Sequence, residues 1–502
     1  MSKPSISTLG ALKASGYQPV SIKEEIRRNL IKKLQAGETT FPGIVGYEDT
    51  VIPDVERAIL SRHNMLFLGL RGQAKTRMAR MMTHLLDEYI PVVAGSEIND
   101  DPFEPISKYA REVILHKGED TPIEWLHRSQ RYGEKLATPD VSVADLIGDI
   151  DPIKAANLKL SFSDEGVLHY GIIPRSNRCI FVINEIPDLQ ARIQVSLFNI
   201  LEEGDIQIRG FKLRMPLDIL FVFTANPEDY TNRGSIVTPL KDRIQSQILT
   251  HYPKSIETAL TITEQEAAIH ETQAKKVSVS DLIKRLIEQI AFEARNNEYV
   301  DKKSGVSARL SISAYENAWS SAERRGIINK EEKTQIWISD LQGIIPAITG
   351  KIELVYEGEQ EGPFQVAMNL LDKAIRTQFT TYFPSPDGYK KRRQNSQQPA
   401  PENPYKAIQA WFDRGNLLEL SVDFTDAFKL QELYKVDGLH ALVKKYYKHA
   451  NDFEAALLME FVLHGLASYS VISKKAIDGK IEFKDLMGSM INLGPSIEDD
   501  EE

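Results

Sequence analysis

The sequence predicts a parallel α/β sandwich followed by helical units. Short apolar runs bounded by turn or polar residues occur at 64–68 (NMLFL), 179–183 (CIFVI) and 218–223 (DILFVF), and such runs are typical of buried strands. They alternate with helical patterns, as expected of a parallel sheet covered by helices. Beyond residue 255 the strand-like runs give way to helical periodicity at 281–296 and around 312–324. We therefore expect a sheet domain first and helical domains after it.

The same patterns predict the other helices and the domain boundaries. Residues 21–36 carry apolar side chains at Ile22, Ile26, Leu30 and Leu34, the spacing of an amphipathic helix, and 75–86 is also helical. Residues 384–404 are rich in Pro, Gln, Asn and charge, a composition typical of linkers. The expected segments are an N-terminal helical segment (1–40), an α/β domain (41–254) with an insertion at about 95–140, a helical lid (255–383), the linker (384–404), a helical C-terminal domain (405–490) and an acidic tail (491–502).

Composition excludes several classes of protein. A chain of 502 residues is too long for one ordinary core, so several domains are expected. The net charge of −10 argues against a general nucleic-acid-binding surface. No apolar run approaches the ~20 residues of a membrane span, and the N-terminus has no apolar signal-peptide core. The single cysteine, Cys179, excludes a disulfide within the chain and a cysteine-based metal cluster. These observations predict a cytoplasmic protein.

The stretch GLRGQAKTRM, from Gly69 to Met78, nearly matches the phosphate loop G-x-x-x-x-G-K-[ST]. Such a loop binds phosphate because successive backbone N–H groups point inward at a helix N-terminus, while the lysine reaches the β- and γ-phosphates of ATP and the hydroxyl binds Mg²⁺. Ala74 stands where the second glycine is expected, but it keeps the backbone N–H. The alternative is a strand-to-helix turn that contains Lys-Thr by chance. The expected nucleotide-binding residues are Gly69, Gly72, Gln73, Ala74, Lys75 and Thr76.

The run RSNRCIFVINEIPDL, from Arg175 to Leu189, contains a strand that ends in the polar pair Asn184-Glu185. An acidic pair at such a position holds Mg²⁺ and orients a hydrolytic water. Glu185 is suited to act as a general base. Asn184 has a carbonyl oxygen but no charge, so its hold on Mg²⁺ is expected to be weaker. The alternative is a core strand followed by an exposed polar pair.

Three further residues suggest roles in ATP hydrolysis. Asn226 ends the strand of ILFVFTANPEDYTNRG (219–234), where an amide is suited to align water against the γ-phosphate. Arg243, in TPLKDRI, suits an arginine finger supplied across a subunit boundary. Arg309, in SGVSARLSI, begins a helix of the following helical domain. Either arginine alone is also explained as a solvated or salt-bridged surface residue.

In this order, these motifs resemble those of the AAA+ ATPases, and more narrowly the magnesium-chelatase small-subunit and MoxR-like branch, over about residues 40–350. Phosphate loops that read A-K-[ST] recur in this wider branch, so Ala74 resembles a branch signature. The resemblance implies a P-loop NTPase sandwich with five core strands, two hairpin insertions and an all-α lid. It implies a Walker A pair at Lys75 and Thr76, a catalytic Walker B acid at Glu185, sensor 1 at Asn226, a trans-acting finger at Arg243 and sensor 2 at Arg309.

Several local segments carry the resemblance further. Residues 44–60 (IVGYEDTVIPDVERAIL) are similar to the family's opening segment beside the adenine, and DPFEP (101–105) is similar to the segment after the first helix of chelatase ATPases. The segments 145–155 and 166–185 resemble the first hairpin insertion and the strand it leads into, and 197–229 resembles the second hairpin insertion. The departure is Asn184, where the family usually has Asp. It affects Mg²⁺ affinity and turnover rather than nucleotide binding; the expected Mg²⁺ site is Thr76, Asn184 and Glu185.

The resemblance also implies partners. A finger that acts on a neighbour's nucleotide requires a homo-oligomeric ring, commonly a hexamer. Members of this branch commonly work with a separate partner protein that bears a von Willebrand A domain. The function implied is an ATPase that remodels a partner protein or drives a metal-insertion complex. Two alternatives are a nucleotide-gated scaffold with little hydrolysis, suggested by Asn184, and a DNA-acting ATPase, which the acidic balance disfavours.

Overall fold

The computed structural model describes residues 3–159, 164–206, 215–227, 235–390, 403–477 and 479–486. The chain divides into two compact units, residues 1–252 and 253–502. The acidic tail (491–502) and most of the expected linker (391–402 of 384–404) lie outside the described residues. In the part of the chain that is described, no helix is both long enough and apolar enough to cross a membrane.

The strands of the first unit are numbered here in chain order. They are β1 (Met65–Leu68), β2 (Tyr89–Val93), β3 (Ile123–His127), β4 (Tyr132–Leu136), β5 (Gly148–Ile150), β6 (Leu168–Tyr170), β7 (Cys179–Asn184), β8 (Asp205–Ile206), β9 (Met215–Pro216), β10 (Ile219–Ala225) and β11 (Ser246–Leu249).

Five of these strands form the central parallel sheet, in the order β11-β1-β10-β7-β4. The predicted fold class, a parallel sheet of five core strands covered by helices, is confirmed. One part of the sequence interpretation is corrected, because β4 lies within the segment 95–140 that was expected to be an insertion. This strand pairs in parallel with β7, with Leu136 opposite Asn184, and so belongs to the core sheet.

The helices of the first unit cover the sheet and lead into its strands. They are Leu9–Ala14, Ile22–Gln35, Val51–Leu60, Lys75–Met81, Lys108–Lys117, Val143–Leu146, Pro152–Leu158, Ile172–Arg175, Ala191–Ser196, Phe198–Glu203 and Thr238–Arg243, with 3-10 turns at Met82–Leu85, Gly118–Asp120, Arg128–Gln130, Glu165–Val167 and Ile186–Asp188.

The apolar strands bury both faces of the sheet. Successive side chains of a strand point to opposite faces. Phe67 and Val182 therefore pack on one face with the helix Ile22–Gln35, while Phe181 and Phe223 pack on the other. The continuous apolar runs of β1, β7 and β10 follow from this burial on two sides.

The N-terminal helix Ile22–Gln35 is an integral part of the first unit. Its apolar side chains Ile22, Ile26 and Leu30 are fully buried in the same cluster as β1. Its Glu25 carboxylate receives two hydrogen bonds from the Arg131 guanidinium, each 2.7 Å long, and both side chains are almost completely buried. A bidentate ion pair thus joins the helix to the residue that precedes β4.

Antiparallel pairs extend from the sheet domain where the resemblance implied hairpins. β5 pairs with β6, and β8 pairs with β9. The tip of the second hairpin, 207–214, lies outside the described residues. A further antiparallel pair, β2 with β3, lies within the segment that precedes β4.

The second unit is mainly helical. Its helices are Ile256–Glu266, Glu271–Lys276, Asp281–Asn296, Arg309–Asn329, Ile345–Thr349, Tyr356–Glu361, Pro363–Tyr382, Asp387–Lys390, Lys406–Asp413, Asp426–Tyr434, Leu439–Tyr446 and Asp452–Ser468, with a 3-10 segment at Ser339–Ile344. It also holds β12 (Val277–Ser278), β13 (Thr334–Gln335), β14 (Leu418–Ser421), β15 (Ser473–Ile477) and β16 (Lys480–Lys484). The antiparallel sheet β14-β16-β15 was not expected in a helical C-terminal domain.

The C-terminal segment and the segment before it share one hydrophobic core, which runs from Val277 to Phe483. A buried polar network crosses between them. The Asp426 carboxylate accepts hydrogen bonds from Arg325, at 2.5 Å, and from the Trp337 indole, at 2.7 Å. The backbone N–H of Ser339 donates to the buried Glu460 carboxylate, at 3.0 Å. These contacts make residues 405–486 part of the same packed body as residues 255–383.

Candidate nucleotide-binding site

The candidate site lies where β1, β7 and β10 end side by side. Ligands of open parallel sheets bind at this carboxyl edge. The strand β1 leads into Gly69, whose backbone N–H donates to the carbonyl of Ala225 at the end of β10, at 3.2 Å. Gln73 is buried behind the loop, where its side-chain oxygen accepts a 2.6 Å hydrogen bond from Thr250. The loop from Gly69 to Ala74 is thus held against the edge of the sheet.

Two residues of the loop take left-handed backbone conformations. Gly72 has φ +71°, which glycine adopts without strain. Ala74 has φ +57° and ψ +16° and directly precedes the helix Lys75–Met81. Alanine therefore occupies a left-handed conformation at the position where the phosphate-loop pattern has glycine, at some cost to the backbone. At Gly69, a Cβ would overlap Thr250 and the Gln73 side chain, so only glycine fits there.

The Lys75 ammonium is turned toward oxygen atoms at the end of the sheet. It donates to the carbonyls of Gly69 and Leu70 and, at 2.6 Å, to the side-chain oxygen of Asn226. The lysine is 8% exposed, so its charged group lies inside the loop and is largely shielded from solvent. A cation at this position can bind phosphate oxygens in place of neutral carbonyl oxygens.

Asn226 connects Lys75 to Glu185. The amide nitrogen of Asn226 donates to a Glu185 carboxylate oxygen at 2.9 Å, while its amide oxygen accepts from Lys75. Glu185 follows β7 with φ +54° and ψ +50°, a conformation that is uncommon for a residue with a side chain and that clusters at functional sites. Its backbone N–H donates to the Thr224 hydroxyl at 3.1 Å.

Thr76 and Asn184 also meet. The Thr76 hydroxyl donates to the Asn184 side-chain oxygen at 3.2 Å, and the Thr224 hydroxyl donates to the same oxygen at 3.1 Å. The Asn184 amide nitrogen donates to Glu134, on β4, at 2.6 Å. Glu134 and Thr224 were not singled out from the sequence as site residues.

The donor set fits Mg²⁺ bound together with a nucleotide. Within the described part of the chain, no group of three or more His, Cys, Asp and Glu side chains forms a metal cage. Mg²⁺ at phosphate sites does not need one, since it keeps several waters and takes one or two protein oxygens plus phosphate oxygens. The Thr76 hydroxyl and the Asn184 oxygen, with the Glu185 carboxylate nearby, are donors of that kind.

The two candidate arginines are placed differently. Arg243 ends the helix Thr238–Arg243, donates to Glu202 of its own chain at 2.8 Å and lies over the Phe198 ring. Arg309 begins the helix Arg309–Asn329 in the second unit and is exposed. Neither the contacts of Arg243 nor the position of Arg309 assigns a role, so the finger and sensor functions stay predictions.

The opening segment 44–60 borders the loop through Tyr47. Its single hydroxyl proton is shared between the carbonyls of Gln73, at 3.0 Å, and His251, at 2.8 Å, and its ring packs edge-on against the His251 ring. Burial raises the pKa of Tyr47 to about 12, so the hydroxyl stays a hydrogen-bond donor. The Tyr252 hydroxyl donates to the Arg71 carbonyl at 2.9 Å. Two tyrosines thus hydrogen-bond to backbone carbonyls of the loop.

No protein-family model matches the chain, and no curated protein matches it. Similar solved structures include a candidate ATPase from Cytophaga hutchinsonii, with 18% identity over 72% of this chain and 98% of that chain and a TM-score of 0.30. Another is the complex of the magnesium chelatase subunits BchI and BchD, with 18% identity over 64% of this chain and 98% of that chain and a TM-score of 0.34.

A third similar structure is NtrX from Brucella abortus in complex with ADP. It has 12% identity over 62% of this chain and 56% of that chain, with a TM-score of 0.33. The fold class itself is established by the strand order and by the strand-loop-helix geometry around Lys75.

Proposed function

We propose that this protein is an AAA+ ATPase of the magnesium-chelatase and MoxR-like type. The proposal rests on the two contacts of the Asn226 amide. Its oxygen accepts a hydrogen bond from the Lys75 ammonium, and its nitrogen donates one to the Glu185 carboxylate, at the carboxyl edge of the sheet. A phosphate-binding cation and a general base are the two groups that ATP hydrolysis requires side by side.

In the proposed mechanism, the loop from Gly69 to Thr76 binds the phosphates through its backbone N–H groups and Lys75. Glu185 accepts the proton of the attacking water, and Asn226 holds the Glu185 carboxylate in place. Thr76 and Asn184 would hold Mg²⁺, which when bound neutralises phosphate charge. Arg243 supplies the finger and Arg309 the second sensor, as the resemblance implies.

Steady-state phosphate release with ATP and Mg²⁺ tests the proposal. We expect Lys75→Ala to lower turnover by at least ~100-fold through loss of charge stabilisation. Glu185→Gln should lower turnover by ~100-fold or more through loss of the base, while ATP binding is retained. Wild-type turnover that survives both substitutions would contradict the assignment of the site.

We further propose a homo-oligomeric ring, for which a hexamer is the expected form, acting on a separate partner protein with a von Willebrand A domain in the cytoplasm. The support is the resemblance and Arg243, which cannot serve as a trans finger without a neighbour. Lys75→Ala and Arg243→Ala subunits can be mixed. Where the two variants are neighbours in a ring, the intact nucleotide site of an Arg243→Ala subunit can face the intact Arg243 of a Lys75→Ala subunit. Recovery of turnover in the mixture supports the ring, and turnover no higher than in the separate variants contradicts it.

A nucleotide-gated scaffold is the second candidate function. The observation that favours it is the uncharged Asn184 beside the Thr76 hydroxyl. It predicts nucleotide binding without phosphate release in the wild type, and release in Asn184→Asp. Phosphate release that Lys75→Ala abolishes in an otherwise wild-type chain would exclude the scaffold.

A further inference from the structure

The neighbour of Asn184 on the adjacent strand is a carboxylate. In the β4–β7 pairing Leu136 lies opposite Asn184, so Glu134, two residues earlier, projects to the same face of the sheet. Its Oε1 accepts the 2.6 Å hydrogen bond from Asn184 Nδ2. Glu134 is part-buried, so this contact is only partly screened by water.

The contact determines which end of the Asn184 amide faces Thr76. An asparagine side chain has one accepting oxygen and one donating nitrogen, whereas the hydroxyls of Thr76 and Thr224 can either donate or accept. An ionised carboxylate only accepts. Glu134 therefore holds the nitrogen on the β4 side and leaves the oxygen facing both threonine hydroxyls.

The second oxygen of Glu134 is held on the opposite side. Oε2 accepts from Arg80 Nη2, on the helix that follows the loop, at 2.8 Å and from the Tyr132 hydroxyl at 3.0 Å. Burial, together with the negative charge of Glu134, raises the pKa of Tyr132, so its hydroxyl remains a donor. The carboxylate is thus held by three donors, and the one from Asn184 belongs to the amide whose oxygen accepts from Thr76.

We propose that Glu134 is a positioning residue of the Mg²⁺ site. It orients the Asn184 oxygen toward the metal, and it supplies from the adjacent strand the negative charge that an aspartate at position 184 would carry. This inference rests on the proposed function, because it assigns Asn184 to the Mg²⁺ shell. With Glu134 in this role, the site can bind Mg²⁺ even though the residue at position 184 is an uncharged asparagine.

The test is a Mg²⁺ titration of the binding of a fluorescent, non-hydrolysable ATP analogue to the full chain. Partners of metal ligands typically contribute 10–100-fold to metal affinity, so E134Q should raise the Mg²⁺ concentration at half-saturation by ~10-fold. Binding of the analogue in EDTA should not change. In the double variant E134Q/N184D, the negative charge moves to position 184 and the amide donor moves to position 134. The Mg²⁺ concentration at half-saturation should therefore return toward the wild-type value.

R80Q is the matched control. It removes the ion pair on the other oxygen of Glu134, and the Arg80 side chain is 66% exposed. Half-saturation in R80Q should shift much less than in E134Q, because Asn184 and Tyr132 still hold the Glu134 carboxylate, and a shift as large as in E134Q would overturn the inference. An unchanged E134Q, or a double variant as weak as E134Q, would also overturn it.

The outcomes separate this inference from the proposed function. A wild type that binds the analogue with Mg²⁺, beside an E134Q variant that does so equally well, overturns the role of Glu134 alone. A wild type without any nucleotide binding overturns both. Thermal unfolding of each variant checks its fold, and E134Q/N184D, which keeps a charge-assisted hydrogen bond, serves as the test if E134Q alone does not fold.

Discussion

The amide nitrogen of Asn226 lies 2.9 Å from a carboxylate oxygen of Glu185, and this bond joins the ends of two neighbouring strands. The carboxylate therefore does not rotate freely at the sheet edge. A base that removes a proton from water needs such a fixed position, because the reacting atoms must be aligned to within a fraction of an ångström.

The first prediction concerns this bond. Asn226→Ala removes the donor to Glu185 and an oxygen partner of Lys75, so ATP turnover should fall by ~100-fold, as for the loss of one oriented hydrogen-bond donor. The affinity for ATP should change much less. Asn199→Ala, at an exposed asparagine of the same unit, is the control. Equal phosphate release by the two variants would contradict the role of Asn226.

The second prediction concerns the left-handed Ala74. Ala74→Gly removes a backbone strain of ~1–2 kcal/mol. The added freedom of the unfolded chain costs ~0.4–1 kcal/mol, so the first unit should gain up to ~1.5 kcal/mol in free energy of unfolding.

Ala79→Gly is the matched control, because Ala79 is buried in the regular part of the same helix. It should lose ~1 kcal/mol. Denaturant unfolding measures both variants, and equal losses in the two would refute a strained Ala74.

The third prediction concerns pH. The His464 ring is buried against the Phe483 ring, and neither ring nitrogen has a hydrogen-bond partner among the described residues. Burial, with the charges of Lys474 and Lys429, lowers its pKa well below 6.5. Below pH ~6.5 this histidine is therefore protonated in the unfolded chain but stays neutral in the folded chain. Stability should fall with decreasing pH there by up to ~1.4 kcal/mol per pH unit.

His464→Leu does not titrate and should lose this contribution to the pH dependence. Urea unfolding at pH 7.5 and 5.5 compares the two proteins. Identical pH dependences in wild type and variant would show that His464 is not responsible.

The fourth prediction concerns the network that joins the C-terminal segment to the rest of the second unit. Asp426→Ala leaves the almost fully buried Arg325 without one of its carboxylate partners. The second unit should lose ~3–5 kcal/mol in free energy of unfolding. Asp423→Ala breaks an exposed pair with Arg324 and should cost ~0–1 kcal/mol. Losses of similar size in the two variants would contradict a structural role for the network.

The sequence predicted the inner strands of the sheet but not its edges. β1, β7 and β10 are continuous apolar runs because they are buried on both faces. β4 (YGEKL) and β11 (SQIL) lie at the two edges, where part of each strand is exposed and polar side chains interrupt the pattern. Helical periodicity predicted the helix 281–296 with its observed bounds.

The candidate phosphate loop and Glu185 could be proposed from the sequence because the residues of each motif are contiguous. Glu134 could not, since it lies fifty residues before Asn184 and only the register of β4 on β7 brings the two together. Thr224 stands within the stretch 219–234, two residues before Asn226, yet nothing in its local pattern indicates its hydrogen bonds to Asn184 and Glu185. The sequence therefore indicates a site's motifs better than the side chains that orient them.

The Arg131–Glu25 pair has a practical consequence for anyone who shortens this protein to its apparent sheet domain. A chain that starts at residue 41 lacks Glu25, the carboxylate partner of the Arg131 guanidinium, which is 1% exposed in the whole chain. It also uncovers the apolar surface on which Ile22, Ile26 and Leu30 pack. Such a fragment should aggregate during expression, whereas one that begins before residue 21 retains both the charge partner and the apolar cover.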